Sequence, residues 1–330
     1  MMRNLRTKLL MAMACLLCYC TGSAQSPVAS GGNAALAPDP VFEGLRYQFP
    51  TKKLTLANGT SLAYTDEGKG PETIIFIHGL GSYLPAWDKN IEELRRHYRC
   101  IAIDLPGYGK SDKAGIAPGM AYYAQTVLEL MDRLKLKQAV LVGHSMGGQI
   151  AITAALQAPE RVKRLILAAP AGLETFTEEQ KQLFRMTVTP QSVQATTPEQ
   201  VAANMKVNFH HMPADAQHMI DDRLQMMQST QFEAYTKAVA GSVAAMVNEP
   251  VYDKLPQLQV PTLILFGQQD ALIPNRYFNP TLTSQAVAET GRNRIRNSQL
   301  VMLPEAGHFL QYEEPAAFNK AVHDFLQQKK

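Results

Sequence analysis

A serine lies between two glycines near the middle of the chain, where an apolar stretch gives way to a helical pattern. The run is Gly143-His144-Ser145-Met146-Gly147, preceded by apolar residues 139–142 and followed by small apolar residues at helical spacing. A strand that turns sharply into a helix through Gly-x-Ser-x-Gly exposes the serine hydroxyl at the end of the strand. Glycines at 143 and 147 allow such a tight turn. The sequence predicts that Ser145 is a nucleophile, the alternative being a small-residue turn with no chemistry.

A serine hydroxyl needs a base to take its proton, and that base needs an acid to orient it. After a turn of this type, the acid and the histidine follow the serine in that order, each in a loop beyond a later strand. The apolar stretch 262–266 leads to Asp270, and the stretch 299–303 leads to His308. We therefore predict a catalytic set of Ser145, Asp270 and His308. Asp104 also follows an apolar stretch, but it precedes the serine and is expected to be structural.

Attack on an acyl carbon places negative charge on its oxygen, and that oxyanion needs hydrogen-bond donors. The residue after the nucleophile, Met146, supplies one backbone N–H. The loop after the apolar stretch 73–77 reads His78-Gly79-Leu80-Gly81-Ser82, and its glycines allow backbone amides to face the site. We predict an oxyanion hole made of the N–H groups of Leu80 and Met146.

The apolar stretches predict an α/β fold. Residues 54–56 and 61–64 alternate around Asn58-Gly59, which is typical of an antiparallel hairpin. The later apolar stretches are continuous, as in parallel strands covered on both faces, and they alternate with helical stretches such as 86–97 and 120–135. We expect a doubly wound, mostly parallel sheet of eight strands with helices on both faces.

The strand pattern disappears between residues 172 and 261. Helical patterns near 177–187, 198–211, 214–228 and 230–247 replace it. A helical insertion at the carboxyl ends of parallel strands lies where ligands bind, so we expect a lid over a pocket, with a stabilising bundle as the alternative. The predicted organisation is a core over 51–172, a helical cap over 173–250 and the rest of the core over 251–330.

The cap carries apolar side chains that suggest an apolar acyl or alcohol group in the substrate, with packing between the cap helices as the alternative: Phe184, Met205, Phe209, Met226 and Met227. Outside the cap, we expect Gly79, Trp87 and Phe309 to contact the substrate, although Trp87 could equally cover the sheet.

Three cap histidines, His210, His211 and His218, find no Cys, Asp or Glu partner at metal-binding spacing. We therefore predict that these histidines are solvated or packed against neighbours and that they form no metal site.

The first 24 residues have the pattern of a signal peptide. Arg3, Arg6 and Lys8 precede an apolar run over 9–20, and small residues lead to a cleavage site after Ala24. The run is too short to span a bilayer comfortably, so export to the periplasm or the medium is expected, without stable membrane insertion after cleavage. Lipid anchoring at Cys15 is the alternative. Residues 25–50, rich in Pro, Gly and Ser, are expected to form a flexible linker.

Without the leader, 29 basic residues face 29 acidic ones, which gives no electrostatic basis for binding nucleic acid. Cys100 is then the remaining cysteine, which excludes an intramolecular disulfide and suggests a buried small apolar residue. The expected partner is a small-molecule substrate, and the oligomeric state is left open.

The catalytic and loop sequences together resemble the α/β-hydrolase superfamily, in its esterase- and lipase-like branch with a helical cap. The resemblance is carried by residues 78–81, 104–112, 143–148, 267–270 and 307–308, and it covers about 52–172 and 250–328. It implies hydrolysis of a carboxylic ester or related acyl bond through an acyl-enzyme on Ser145, without metal or cofactor. The branches with an aspartate nucleophile, haloalkane dehalogenases and epoxide hydrolases, do not fit this serine.

Other activities of the same fold and triad stay open. They are the hydrolysis of a carbon–carbon bond in ring-cleavage dienoates, and acyl transfer or perhydrolysis, in which an alcohol or peroxide replaces water. An alternative of another class is a ligand-binding protein without turnover.

Overall fold

The structure is a computed structural model that describes residues 38–328. The predicted leader and the linker up to residue 37 lie outside the described residues. Within the described range, none of the helices has the length and apolar character needed to cross a bilayer.

Over residues 38–328, eight strands form one sheet in the order β1-β2-β4-β3-β5-β6-β7-β8. Their bounds are β1 Lys52–Thr55, β2 Ser61–Glu67, β3 Thr73–Ile77, β4 Arg99–Ile103, β5 Ala139–His144, β6 Val162–Ala168, β7 Thr262–Gly267 and β8 Ser298–Leu303. β2 pairs antiparallel with β1 and β4, whereas the strands from β4 to β8 pair in parallel. The predicted eight-stranded, mostly parallel α/β sheet is confirmed.

The helices surround this sheet and build the insertion between β6 and β7. Their bounds are α1 Pro40–Glu43, α2 Asp88–Leu94, α3 Met120–Arg133, α4 Met146–Gln157, α5 Glu178–Thr187, α6 Pro190–Gln194, α7 Pro198–Lys206, α8 Gln217–Met226, α9 Phe232–Asn248, α10 Ser284–Arg294, α11 Leu310–Glu313 and α12 Pro315–Gln327. Short 3₁₀ turns cover Leu84–Trp87, Pro159–Arg161, Ala214–Ala216 and Tyr252–Gln257.

The cap helices begin where their sequence provides caps. The side chains of Thr177 and Thr197 each accept a hydrogen bond from the backbone N–H three residues later. In turn, the side-chain oxygens of Gln180 and Gln200 accept the backbone N–H of these threonines. The helix predicted near 198–211 ends at Lys206. The following segment runs from the cap toward the loop after β8.

The strand order creates a crevice at the centre of the sheet. From β3 the chain moves outward to β4 and then returns to the other side of β3 as β5. Connections that leave two adjacent parallel strands in opposite directions open a crevice at their carboxyl ends, where ligands bind in such sheets. The side chains of residues 74–77 on β3 are fully buried, so the loops at this crevice rest on a rigid base.

For the part of residues 25–50 that the structure describes, the prediction of a flexible linker is wrong. Phe42, Leu45 and Phe49 are buried, and burial of such side chains removes the freedom that a linker requires. Asp39 caps α1 and accepts hydrogen bonds from Ser229 Oγ at 2.8 Å and Thr230 Oγ1 at 2.9 Å. Residues 39–50 therefore pack against the core and the cap.

Cys100 is fully buried in β4, and burial raises the pKa of its thiol to about 12. The expectation of a small apolar core residue is confirmed, since a thiol with such a pKa is neither a nucleophile nor a metal ligand at neutral pH.

Candidate active site

Ser145 lies in the turn between β5 and α4, and its backbone is strained. Its φ is 53° and its ψ is −118°, a left-handed conformation that side-chain-bearing residues rarely adopt. A Cβ at Gly143 would lie 2.2 Å from the carbonyl oxygen of Gly147, and a Cβ at Gly147 would lie 2.2 Å from that of Ile77. Only glycine fits at either position, because the helix starts directly against the strands.

The loops after β7 and β8 bring an acid and a histidine together. His308 Nδ1 lies 2.8 Å from Asp270 Oδ2, and both side chains are buried. The other oxygen, Asp270 Oδ1, accepts the backbone N–H groups of Leu272 at 2.8 Å and Ile273 at 2.9 Å. A carboxylate held by these amides fixes the imidazole with Nδ1–H toward the acid, which leaves Nε2 as the ring's acceptor.

Ser145 and His308 line the same cavity, and Asp270 lies behind the histidine. Within the described part of the chain, Ser145 Oγ makes no hydrogen bond to the imidazole. Catalytic hydrogen bonds are commonly long without substrate and tighten when it binds. The structure thus brings the three residues predicted from three distant segments to one edge of the sheet.

His144, the residue before the serine, contacts the loop that carries His308. Its Nε2 lies 2.9 Å from the backbone oxygen of His308, and its ring centroid lies 4.8 Å from the His308 ring and 4.6 Å from the Phe309 ring. Burial, and then the neighbouring His308, lower the pKa of His144 well below its usual value, so the ring is neutral. No sequence pattern singles out this residue, although it lies inside the serine motif.

The loop after β3 is held by His78. The His78 Nδ1–H donates to the Gly79 carbonyl oxygen at 2.8 Å, and Nε2 accepts the Leu105 N–H at 3.0 Å. Burial lowers the pKa of His78 to about 4, which keeps this neutral tautomer at neutral pH. Because the C=O and N–H of a trans peptide point in opposite directions, the Leu80 N–H points away from the His78 ring.

This loop lies directly beside the serine. A Cβ on Gly79 would lie 2.9 Å from His144 Nδ1 and 3.1 Å from Ser145 Cβ. Neither Leu80 N–H nor Met146 N–H has an acceptor among the described residues. The Met146 side chain is fully buried, so this residue can contact the site only through its backbone.

A cavity of about 570 Å³ extends from Ser145 into the cap. Gly79 and Phe309, the predicted substrate contacts, line it, and so does Leu80, the predicted oxyanion donor. Of the cap side chains named from the sequence, Phe184, Met205, Met226 and Met227 also line it. Phe209 instead packs on Phe309, with ring centroids 5.4 Å apart. The lining is mostly apolar, and the cap supplies most of it.

The prediction that Trp87 contacts the substrate is wrong. Its side chain is fully buried and packs between Phe76, at a centroid distance of 5.1 Å, and Phe318, at 6.2 Å. The 3₁₀ turn that carries Trp87 directs the indole toward the sheet, away from the cavity. Trp87 instead covers the sheet, as the alternative interpretation of its position predicted.

Two charged residues line the cavity although no sequence pattern predicted this position for them. Arg223 on α8 donates through Nη2 to the Gly81 carbonyl oxygen and lies over the Tyr235 ring at 4.7 Å, while its buried Nε has no partner in the described chain. Glu174, after β6, accepts from Asn275 N–H at 3.1 Å, and burial raises its pKa. In the sequence both look like ordinary surface charges of helices or loops.

The expectation that Asp104 is structural agrees with its contacts. It is fully buried and accepts the Tyr47 hydroxyl at 2.6 Å, the Leu84 N–H at 2.7 Å and the Lys110 N–H at 2.8 Å. It therefore ties the segment before β1, the loop after β3 and its own loop together.

Comparison with known proteins identifies relatives over most of the chain. The chain is 30% identical to the dihydrolipoyllysine-residue acetyltransferase component of the acetoin cleaving system of Pseudomonas putida, over 78% of this chain and 64% of that protein. It thus spans less than two thirds of that relative. It is 27% identical to a 2-hydroxy-6-oxononadienedioate/2-hydroxy-6-oxononatrienedioate hydrolase of Cupriavidus pinatubonensis, over 79% of this chain and 89% of that protein.

Solved structures resemble this protein over a similar part of the chain. A probable hydrolytic enzyme from Pseudomonas aeruginosa PAO1 superposes with a TM-score of 0.79 at 26% identity, covering 86% of this chain and 96% of the other. A thermophilic esterase from Thermogutta terrifontis gives 0.68 at 28% identity, covering 84% and 98%. The sequence profile of the family described as alpha/beta hydrolase fold matches residues 72–315. With that match and the sheet order described above, the chain belongs to the α/β-hydrolase-fold family.

Proposed function

We propose that this protein is a serine hydrolase that cleaves a carboxylic ester of a small, largely apolar substrate through an acyl-enzyme on Ser145. The observation that carries the proposal is the pairing of His308 Nδ1 with buried Asp270 at 2.8 Å, in a histidine that lines the same cavity as the strained serine. Nε2 of such a histidine is free to act as a general base.

In the proposed reaction, Ser145 Oγ attacks the acyl carbon while His308 Nε2 takes the hydroxyl proton. His308 then gives this proton to the leaving alcohol, and the acyl group stays on the serine. Water enters, gives a proton to the same nitrogen and attacks the acyl-enzyme, which releases the acid and restores the hydroxyl. Asp270 stabilises the imidazolium that forms in each half, without taking the proton itself.

The oxyanion of both tetrahedral intermediates would be held by the N–H groups of Leu80 and Met146. The His78 contacts support this role, because they draw the Gly79 carbonyl away and so orient the Leu80 N–H. The Met146 N–H opens α4, where the helix dipole favours negative charge.

An apolar ester is supported by the cavity and by the relatives. Methionine, valine and phenylalanine side chains dominate the wall, and such a lining binds through burial of apolar surface. A relative of known structure is named as an esterase.

A second candidate is the hydrolysis of a carbon–carbon bond in a dienoate. The relative from Cupriavidus is named for this activity, and Arg223 gives the cavity a cationic group that an acidic substrate could contact. Acyl transfer and perhydrolysis would use the same acyl-enzyme with another acceptor.

The test is labelling by a fluorophosphonate, which reacts with activated serines. Wild-type protein should be labelled and Ser145→Ala should not. Ser82→Ala is the matched control, because Ser82 also lines the cavity and its loss should leave labelling unchanged. Folded wild-type protein that is not labelled would overturn the proposal and favour a binding protein.

Turnover then separates the activities. A panel of p-nitrophenyl esters set against a ring-cleavage dienoate distinguishes ester from carbon–carbon bond hydrolysis. Product analysis with added alcohol or peroxide distinguishes hydrolysis from transfer or perhydrolysis.

A further inference from the structure

Two histidines of the cap and a glutamate of the core lie together outside the cavity. His210 and His211 follow α7, and Glu305 lies in the loop between β8 and His308. Their ligand atoms all lie within 4.8 Å of one another, and His210 Nε2 is 3.9 Å from Glu305 Oε2. The two imidazole rings are adjacent, with centroids 4.0 Å apart. All three residues are exposed, and the proposed reaction uses none of them.

The backbone under this cluster is held in place from both sides. The carboxylate of Glu313 on α11 accepts the N–H of His210 at 3.1 Å, the N–H of His211, and the N–H of Gly307 at 2.8 Å. The Phe309 N–H donates to the Asn208 carbonyl oxygen at 2.8 Å. The cap segment and the loop of His308 are therefore fixed relative to each other, and only side-chain rotations separate the three ligands from a common centre.

Two imidazoles and a carboxylate form a ligand set that suits Zn²⁺ and similar divalent transition metals. Around a tetrahedral Zn²⁺, with bonds of about 2.0–2.1 Å, ligand atoms lie about 3.4 Å apart. The separations in the cluster exceed that by about 1.5 Å or less, which exposed side chains can close by rotation. Water would fill the fourth position.

We propose that His210, His211 and Glu305 form a surface site for a divalent transition metal, best matched by Zn²⁺, that ties the cap to the loop carrying His308. The sequence does not reveal this set, because Glu305 is distant from the histidines along the chain and reaches them only through the fold. A bound metal would add a bridge between the cap segment and the base loop. We expect it to stabilise the folded protein.

The test is isothermal titration of the untagged full-length chain with ZnSO₄, with Cys15, Cys18 and Cys20 replaced by serine so that the leader thiols do not compete. One Zn²⁺ per chain should bind with micromolar affinity, and the melting temperature should rise relative to the protein in EDTA. E305Q, H210A and H211A should each weaken binding by about tenfold or more, because each removes one of three ligands. Mg²⁺, which prefers oxygen ligands, should not compete.

His218→Ala is the matched control, since this cap histidine lies outside the cluster and its Nδ1 is 2.6 Å from the Asp215 carbonyl oxygen. Zn²⁺ should bind this variant as it binds the wild type. No stoichiometric binding, or binding that survives in the H210A/H211A/E305Q protein, would overturn the proposal. Melting each variant in EDTA shows whether it is folded. The binding result does not depend on ester hydrolysis, so the two proposals can fail separately.

Discussion

His144 Nε2 and the His308 carbonyl oxygen are 2.9 Å apart, a hydrogen bond between the residue before the proposed nucleophile and the backbone of the proposed base. Both residues are buried, and the neutral His144 ring has one N–H to donate. The bond therefore fixes the loop after β8 against the end of β5. This hydrogen bond supports the position of His308 relative to Ser145, and the His144 ring also lines the cavity.

Replacing His144 by alanine should lower kcat by a larger factor than it raises KM, because the base would lose a positioning contact, while His144 is one of many residues that line the cavity. Loss of a buried hydrogen bond costs about 1–3 kcal/mol, which corresponds to a decrease in kcat of roughly 5- to 150-fold. His144→Gln, whose side-chain N–H₂ can reach the same carbonyl, should restore much of the rate. Steady-state kinetics on a p-nitrophenyl ester measure both. An alanine variant with wild-type kcat would show that the contact has no role in positioning.

Gly79→Ala should lower kcat by about 10²-fold, the effect of losing one oxyanion donor. The new methyl would meet His144 Nδ1 and Ser145 Cβ, so the loop with the Leu80 N–H would have to move. Gly119→Ala serves as the control, because the one tight contact of its Cβ would be the end of the flexible Glu249 side chain at 3.1 Å, and its activity should match the wild type. Equal activity of the two variants would argue against an oxyanion role for this loop.

Met227→Trp should shift selectivity toward short acyl chains. Met227 lines the cap part of the cavity, and the indole would fill space there. The ratio of kcat/KM for octanoate over acetate esters should fall about tenfold, since each excluded methylene is worth on the order of 1 kcal/mol or more. Met186→Trp is the matched control, because Met186 is 67% exposed and does not line the cavity. If both variants keep the wild-type ratio, the acyl group does not occupy this part of the cavity.

Asp88→Asn should stabilise the protein at pH 8 and have little effect near pH 4. Burial raises the pKa of Asp88 to about 7, and its Oδ1 has no partner among the described residues. The folded protein thus keeps a proton that the unfolded chain releases near pH 3.9, so its stability falls as pH rises from about 4 to 7. Asparagine removes this titration, and the free energy of unfolding at pH 8 should rise by roughly 2–4 kcal/mol.

Urea unfolding at pH 4 and pH 8 checks this difference. Asp324→Asn is the control, since this side chain is 57% exposed and its substitution should give no comparable pH dependence. A stabilisation by Asp88→Asn that is the same at both pH values would contradict the raised pKa.

The sequence by itself determined the order of the elements and which residues lie at the carboxyl ends of the central strands. Continuous apolar stretches mark buried parallel strands, because a strand covered on both faces has no polar face. Glycines at 143 and 147 mark the turn at Ser145, because local crowding there admits no Cβ. The proximity of Asp270 and His308 could be predicted because the carboxyl ends of parallel strands share one edge of the sheet.

Only the tertiary structure decided where several side chains point. Trp87 faces the sheet, and the segment with Phe42 packs although its composition resembles a linker. Arg223 enters the cavity wall, and Glu305 joins His210. The physical reason is that these outcomes depend on contacts between segments far apart in the chain, and the direction of one side chain follows from packing that no local pattern records.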